Sequence, residues 1–231
     1  MVAKLYYKNK LILKLIKPFE NKRLFTSLML NILTLKDYNY WPKNLIALDA
    51  FCQTGLQWTR LFANEANYLE MWDINEQAIK YAKKEFPNAN INCGDSINAI
   101  INNKLHRSDF NFVLIDLPVP FRYSNTEFEH FVFFDKIFNN VAANFILILN
   151  VVTNVNVMLN VHPKPKEYVD AWVNARKLFY NSDDGYIINP QKMKSSYEEK
   201  LLAIGITPKL ILYNARNQNL GIVTIVGSKS I

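Results

Sequence analysis

The chain contains few of the residues on which small or metal-bound folds depend. Its 231 residues include six glycines, three histidines and only two cysteines, Cys52 and Cys93. These cysteines do not have the spacing of metal ligands, and the histidines share no motif, so the sequence predicts no metal site. A disulfide is not expected either, and we expect each cysteine to behave as a small buried hydrophobe.

Long apolar runs are missing as well. No run reaches the roughly 18 residues that a membrane-spanning helix needs. Lysines interrupt the apolar positions of residues 1–19, whereas the apolar segment of a signal peptide is free of charge. The chain is therefore expected to be a cytoplasmic protein with no membrane partner, and the sequence does not indicate its oligomeric state.

Acidic residues are scarce in the first part of the chain. The net charge is +7, and the first 23 residues hold seven lysines and arginines against the single acid Glu20. Such a basic arm is typical of proteins that contact nucleic acid, although it is equally compatible with an ordinary solvated surface. Residues 1–44 are predicted to form a basic N-terminal extension, with a strand or hairpin at 4–16 and a helix at 21–35 that Asn21 can cap.

From residue 45 onward, short apolar strands alternate with helical patterns. Strands are predicted at 45–50, 67–74, 89–95, 110–118 and 144–152, with helices at 57–66, 75–86, 96–105 and 127–141. After a helix at 195–205, two strands at 209–215 and 221–227 are too close for a crossover helix and must form an antiparallel hairpin. Residues 45–231 therefore predict an α/β domain, doubly wound, with a mostly parallel seven-stranded sheet, a C-terminal antiparallel hairpin and an insertion at about 156–194.

An acidic residue lies at or near the carboxyl end of each of the first four strands. These residues are Asp49, Asp73, Asp95 and Asp116, and successive members are one strand–helix unit apart. Ligands of open α/β sheets bind at this edge, so the four acids predict a binding site. The alternative for Asp49 and Asp116 is a simple role in turns.

The spacing of these acids fits an adenosine ligand. Asp73, or less favourably Glu70, stands where an acid can bind both hydroxyls of a ribose. Asp95 can accept from the exocyclic amine of adenine, and Trp72 or Ile74 can pack on its ring.

The loop after the first strand reads "LDAFCQTG" and contains a single glycine. It lacks the Gly-x-Gly-x-x-Gly pattern that holds a pyrophosphate, which favours a ligand without phosphates. Gln53 stands where a second glycine is usual, and it can keep the loop only if its φ is ordinary and its side chain points away.

These motifs together resemble those of the class I S-adenosylmethionine (AdoMet)-dependent methyltransferases. "LDAFCQTG" is similar to the first motif of that family, "MWDINEQAIKYAKKEF" to the acid of the second strand and its helix, and "NCGDS" to the end of the third strand. The resemblance covers about residues 45–155 closely and 195–231 in outline, and it implies AdoMet as cofactor. The residues that it places at the cofactor are Asp49, Phe51, Gln53, Thr54, Gly55, Asp73, Ile74, Asp95 and Ser96, of which Ser96 can also cap the following helix.

The fourth strand ends in "IDLPVPF", which resembles the motif of methyltransferases that act on amino groups of bases. The resemblance implies catalytic roles for Asp116, Pro118 and Phe121, with Asp116 facing the transferable methyl. Leu117 replaces the usual first proline, and the aromatic residue comes two positions late.

The function expected from this resemblance is AdoMet-dependent methylation of a nucleic acid, at the amino group of a base in RNA or DNA. The alternatives are a methyltransferase for a small molecule or a protein, and a catalytically inactive relative that serves as a binding or scaffold protein. The insertion carries an apolar helical stripe and is interpreted either as a substrate lid or as a helix packed on the sheet. Lys164, Lys166, Arg176 and Lys177 are among its basic residues and add positive charge.

Overall fold

The structure is a computed structural model that describes residues 22–117, 122, 124, 127–217 and 219–229. The strand or hairpin predicted at 4–16, the cap Asn21, and the predicted catalytic residues Pro118 and Phe121 lie outside the described residues.

The described residues form one seven-stranded sheet with the order β3-β2-β1-β4-β5-β7-β6. Strands β1 to β5 are parallel to one another, whereas β7 is antiparallel to both β5 and β6. The strands are β1 (Leu45–Asp49), β2 (Ala66–Asp73), β3 (Asn90–Cys93), β4 (Phe110–Ile115), β5 (Val141–Val152), β6 (Ile206–Ala215) and β7 (Leu220–Lys229). The predicted fold class, with its mostly parallel sheet and antiparallel C-terminal hairpin, is confirmed.

Helices lie on both faces of this sheet and at its carboxyl edge. They are α1 (Lys22–Asp37), α2 (Glu76–Glu85), α3 (Ser96–Ile101), α4 (Phe134–Ile137), α5 (Val155–Val161), α6 (Lys166–Tyr180) and α7 (Pro190–Ala203). Of the helices that the structure describes, none has the length and apolar character needed to cross a membrane.

The central strands are apolar on both faces because both faces are covered. In β4, Phe112 and Leu114 join the cluster that includes α1 and α2, whereas Val113 and Ile115 join the cluster that includes α3, α4 and α7. Successive side chains of a strand point to opposite faces, so a near-continuous apolar run is what a doubly covered strand requires.

Helix α1 belongs to one of these covering layers. Leu28 and Ile32 are buried in the same cluster as residues of β1 and β4. The buried Asn31 donates from Nδ2 to Thr224 Oγ1 of β7 at 2.8 Å. The helix predicted at 21–35 thus packs on the sheet, and the division at residue 44 stays a prediction.

The helix predicted at 57–66 is wrong. The segment forms two short 3-10 turns, Thr59–Leu61 and Ala63–Glu65, and β2 begins immediately afterwards. The three-residue period of a 3-10 turn brings Thr59 and Phe62 to the same side, where both are buried.

The helix predicted at 127–141 is also interrupted. Only α4 is α-helical in this stretch, and it is flanked by the 3-10 turns Phe131–Phe133 and Phe138–Asn140. Because aromatic side chains of this segment pack in several directions, a single α-helical face cannot serve them.

Candidate functional site

Asp49 ends β1 and lies beneath the carboxyl edge of the sheet. It is 1% exposed, and its Oδ2 accepts a 2.5 Å hydrogen bond from the Thr59 hydroxyl, while Oδ1 accepts from the Phe51 N–H at 3.3 Å. Burial raises the pKa of Asp49 to about 7, and the nearby charges of Asp116 and Asp73 add to that rise. The carboxyl group therefore changes its charge near neutral pH.

The loop that follows β1 closes in a tight turn from Cys52 to Gly55, whose N–H donates to the Cys52 carbonyl at 2.7 Å. Gln53 has a φ of 48° and an exposed side chain. The condition of an ordinary φ is therefore not met, although the side chain does point to solvent. Gln53 adopts the left-handed conformation that glycine takes easily, at a cost of about 1–2 kcal/mol for a residue with a Cβ.

Gly55 is required by packing as well as by backbone conformation. Its φ is 73°, and a Cβ at this position would lie 2.4 Å from Phe86 Cε2 and 2.8 Å from Met71 Cε. The Cα of Gly55 thus packs directly against apolar side chains under the loop. This close packing holds the loop against β2, to which Met71 belongs.

Asp73, at the end of β2, joins the first loop to the second. Oδ2 accepts the Gln53 N–H at 2.8 Å, and Oδ1 accepts the Asn75 N–H at 2.8 Å. The residue is half-buried, and each carboxylate oxygen has two lone pairs, so both oxygens keep acceptor capacity for a ligand. The two backbone bonds fix the orientation of the carboxylate in advance.

Glu70 is buried, and its carboxylate is hydrogen-bonded to neighbouring side chains. It is 0% exposed and accepts hydrogen bonds from the Tyr68 hydroxyl at 3.0 Å and the Trp72 indole N–H at 2.7 Å. This leaves Asp73 as the carboxylate of β2 that a ligand can reach.

The third acid, Asp95, caps helix α3 and remains exposed. Its Oδ1 accepts the Asn98 N–H at 3.0 Å. The prediction that Ser96 caps this helix is wrong, because Ser96 is its first residue and is 3% exposed. Ile74, beside Asp73, is 76% exposed and offers an apolar surface at the same edge.

The fourth acid, Asp116, follows β4 and forms an ion pair that the sequence analysis missed. Arg216 donates from Nη1 to Asp116 Oδ1 at 3.1 Å, and its Cζ lies 4.8 Å from the centre of the Trp58 ring. Burial raises the pKa of Asp116, and the positive charge of Arg216 opposes that rise. Arg216 follows β6, which runs in the direction of β5, so the hairpin turn lies at the carboxyl edge. The predicted C-terminal hairpin therefore already placed Arg216 at the same edge as Asp116, and this was the signal in the sequence that could have identified it.

The two cysteines differ in exposure, and His130 is buried. Cys52 is buried as predicted, but Cys93 is exposed at the end of the edge strand β3, so the prediction that both are buried is wrong for Cys93. Within the described residues, no three histidine, cysteine, aspartate or glutamate side chains are grouped so that they could hold a metal ion. Burial lowers the pKa of His130 to about 3, and its Nε2 lies 2.7 Å from the Tyr197 hydroxyl, which makes it a neutral core residue.

Arg176 of the insertion is buried and joins it both to Glu129, through an ion pair, and to the carboxyl end of β5, through a hydrogen bond. Arg176 Nη1 lies 2.7 Å from Glu129 Oε1, and Arg176 also donates to the backbone carbonyls of Val152 and Gly185. Trp172 donates its indole N–H to the same Glu129 oxygen at 2.8 Å. Arg176 is therefore a buried structural cation and does not add to the positive surface expected of the insertion.

Cations and an aromatic ring meet where the insertion borders the loop after β4. The Cζ of Arg122 lies 5.3 Å from the centre of the Tyr168 ring, and Lys164 Nζ lies 5.5 Å from it. Lys164 is exposed and Tyr168 is half-buried. This cation–aromatic cluster (Arg122, Lys164 and Tyr168) lies near the carboxyl edge, since Tyr168 packs in the apolar cluster that contains Val152, the last residue of β5.

Comparison with known proteins identifies the fold. No protein-family model matches the chain, and no curated protein matches its sequence. Among solved structures, N-methyltransferase NodS from Bradyrhizobium japonicum matches with a TM-score of 0.55 at 11% identity, over 93% of this chain and 98% of that one. M. jannaschii TYW2 in complex with AdoMet matches with a TM-score of 0.53 at 13% identity, over 87% and 76% of the two chains.

A third match is Trm5b from Pyrococcus abyssi, with a TM-score of 0.50 at 13% identity, over 88% of this chain. The chain spans only 49% of the length of Trm5b. The strand order and these matches together define the fold as that of the class I AdoMet-dependent methyltransferases.

Proposed function

We propose that the protein is an AdoMet-dependent methyltransferase. The observation that carries the proposal is the arrangement of Asp73. Its carboxylate is oriented by the Gln53 and Asn75 N–H groups and remains half-exposed. It lies at the carboxyl end of β2, beside the loop that follows β1. An acid held in this way suits the two hydroxyls of a ribose, which each need an acceptor in a fixed position.

The neighbouring residues fit the rest of an adenosine. Asp95 Oδ1 accepts the hydrogen bond that caps α3, and the residue is exposed. Its Oδ2 is therefore available to accept a hydrogen bond from an exocyclic amine. Ile74 supplies exposed apolar surface beside Asp73 for the face of a purine ring. These residues therefore fit AdoMet, and the product S-adenosylhomocysteine, at the carboxyl ends of β1 to β3.

The charges near β1 and β4 match the positive part of the cofactor. The charge of Asp116 contributes to the raised pKa of Asp49, so a positive group brought near these two carboxylates favours their ionised forms. The bound cofactor would supply the reactive methyl, and the chain contributes position and electrostatics.

Asp116 is the residue that we expect to orient the acceptor. Arg216 bonds to Oδ1 and favours the ionised carboxylate, which leaves Oδ2 able to accept an N–H of an incoming amine. A carboxylate acting in this way aims the lone pair of the amine at the methyl. The predicted roles of Pro118 and Phe121 remain part of this proposal.

We infer that the acceptor is a nucleic acid, methylated on the amino group of a base. The support is the cation–aromatic cluster near the carboxyl edge, since interleaved cations and aromatic rings bind phosphates and stack on bases. The net charge of +7 and the basic N-terminal arm add long-range attraction for a polyanion.

Transfer of a labelled methyl group tests the proposal. Protein and methyl-labelled AdoMet are incubated with RNA, single-stranded DNA, a protein extract and a small-molecule extract, with Asp116→Ala as the inactive variant and the exposed Asp183→Ala as the matched control. The proposal expects label in nucleic acid, lost in Asp116→Ala, retained in Asp183→Ala, and falling steeply as salt rises. Label only in small molecules or protein would support the corresponding alternative, and cofactor binding without transfer would support an inactive binding protein.

A further inference from the structure

Arg216 has more hydrogen-bonding capacity than its contacts use. Its side chain is 12% exposed, and its single described acceptor is Asp116, reached through Nη1 at 3.1 Å. The Nε atom of Arg216 is buried and has no hydrogen-bond partner. A buried N–H without a partner is unfavourable and needs a physical reason.

The geometry of the guanidinium group determines which N–H donors of Arg216 remain without a partner among the described residues. Nε–H and one Nη2–H point in parallel along one edge of the planar group, and this edge matches the two oxygens of a carboxylate or phosphate. Nη1, which bonds to Asp116, lies on the other side of the group. The contact with Asp116 therefore leaves the two-donor edge unused among the described residues.

Pairing with Asp116 does not by itself explain this arrangement. An arginine whose role was to neutralise Asp116 would form the stronger bidentate contact, whereas the contact present is a single bond. The position of the group is fixed separately by Trp58, over whose ring Cζ lies at 4.8 Å. Trp58 follows the loop after β1, which belongs to the proposed cofactor site, and Asp116 is the residue proposed to orient the acceptor. Arg216 contacts both residues and therefore lies between these two parts of the site.

The local charge also limits what can bind there. Asp49, Asp73 and Asp116 make this part of the sheet edge negative, and Arg216 is the cation that the structure pairs with one of them. An anionic part of a ligand would be repelled by the three acids and attracted to Arg216.

We propose that Arg216 is an anion-binding residue of this site, whose Nε–Nη2 edge binds a carboxylate or phosphate of a ligand while Nη1 stays on Asp116. The proposal rests on the proposed function for the identity of the ligands. The anion has two possible sources with the same chemistry, the carboxylate of the amino-acid part of the cofactor and a phosphate of the acceptor.

The cofactor arm of the test compares two ligands by calorimetry. S-adenosylhomocysteine carries the amino-acid carboxylate, and 5′-methylthioadenosine lacks the whole amino-acid part. If the anion belongs to the cofactor, Arg216→Gln weakens S-adenosylhomocysteine binding by about tenfold or more and leaves methylthioadenosine binding unchanged. Arg216→Lys keeps the positive charge but lacks the two parallel N–H donors, so it should recover only part of the lost affinity for S-adenosylhomocysteine.

The acceptor arm uses the four ribonucleosides and their 5′-monophosphates, titrated with S-adenosylhomocysteine present. If the anion belongs to the acceptor, the wild type binds at least one monophosphate about tenfold more tightly than its nucleoside, and Arg216→Gln removes that difference. The matched control in both arms is Lys83→Gln, which removes an exposed cation of α2 and should change neither.

The inference is overturned if Arg216→Gln behaves as the wild type in both arms, or if the variant is folded and loses both adenosine ligands equally. Thermal unfolding and circular dichroism of each variant check the fold, and Arg216→Lys serves if Arg216→Gln does not fold. A wild type that binds neither adenosine ligand would contradict the proposed function itself, which separates that failure from a failure of the role of Arg216.

Discussion

The burial of Asp49 makes the stability of the protein depend on pH. The pKa of this carboxyl is raised from 3.8 to about 7 in the folded state, first because burial disfavours the charge. Between these two values the folded chain keeps a proton at Asp49 that the unfolded chain releases. The free energy of unfolding therefore falls as pH rises across this window and levels off above it.

Asp49→Asn removes this titration while keeping the size of the side chain. The pKa difference of about three units corresponds to about 4 kcal/mol at 1.36 kcal/mol per unit, so the wild type should lose about that much stability relative to Asp49→Asn between about pH 4 and pH 8. Urea unfolding of both proteins across this range measures the difference directly, because other titrating groups are common to both.

A second variant tests the cause of the shift. The Thr59 hydroxyl donates to Asp49 Oδ2 and lowers the folded-state pKa of Asp49, so Thr59→Val should extend the window in which stability falls to higher pH while its lower limit stays unchanged. A stability difference between wild type and Asp49→Asn that stays flat from about pH 4 to pH 8 would refute the reasoning.

Three further predictions concern the loop and the insertion. Gln53→Gly should be stabilised by up to about 1 kcal/mol in thermal unfolding because it relieves the left-handed backbone, and Gln53→Val should lose about 1–2 kcal/mol; a less stable glycine variant would contradict this. Gly55→Ala should lose about 2–3 kcal/mol, since its Cβ overlaps Phe86 and its φ is positive, and a loss under about 0.5 kcal/mol would argue against the packing described. Arg176→Met should lose about 3–5 kcal/mol by leaving Glu129 buried and unpaired, and adding Glu129→Gln should restore part of it; strictly additive losses would show that the two residues do not interact.

The sheet could be predicted from the sequence because strand and helix signals are local. Runs such as residues 144–152 are apolar on both faces, and the short link between β6 and β7 leaves room only for a hairpin. The grouping of the acids at the strand ends is predictable for a related reason, since parallel strands bring their carboxyl ends to one edge.

The contacts that depend on tertiary packing could not be predicted. Nothing local shows that Gln53 adopts a positive φ, which is maintained by the bond from its N–H to Asp73 and by Gly55 against Phe86. The ion pair of Asp116 and Arg216 joins residues a hundred positions apart, so no spacing rule indicates the contact, although the direction of β6 places Arg216 at the same edge of the sheet.

The helix errors have the same origin. The segment containing Thr59 has apolar residues at helical spacing, but it must satisfy Asp49 and fill the core within a short connection. Tertiary demands of this kind override a local pattern.

Binding of S-adenosylhomocysteine to the wild type and to Asp73→Ala tests the central claim most directly. Asp73→Ala takes the acceptor from the Gln53 and Asn75 N–H groups, which costs about 1–3 kcal/mol and leaves a folded protein with a lower melting temperature. At about 100 times its dissociation constant, the ligand should stabilise the wild type and the control Asp183→Ala by about 2.7 kcal/mol, and Asp73→Ala far less. A wild type with no thermal shift at millimolar ligand, or an Asp73→Ala variant that binds as tightly as the wild type, would contradict the account.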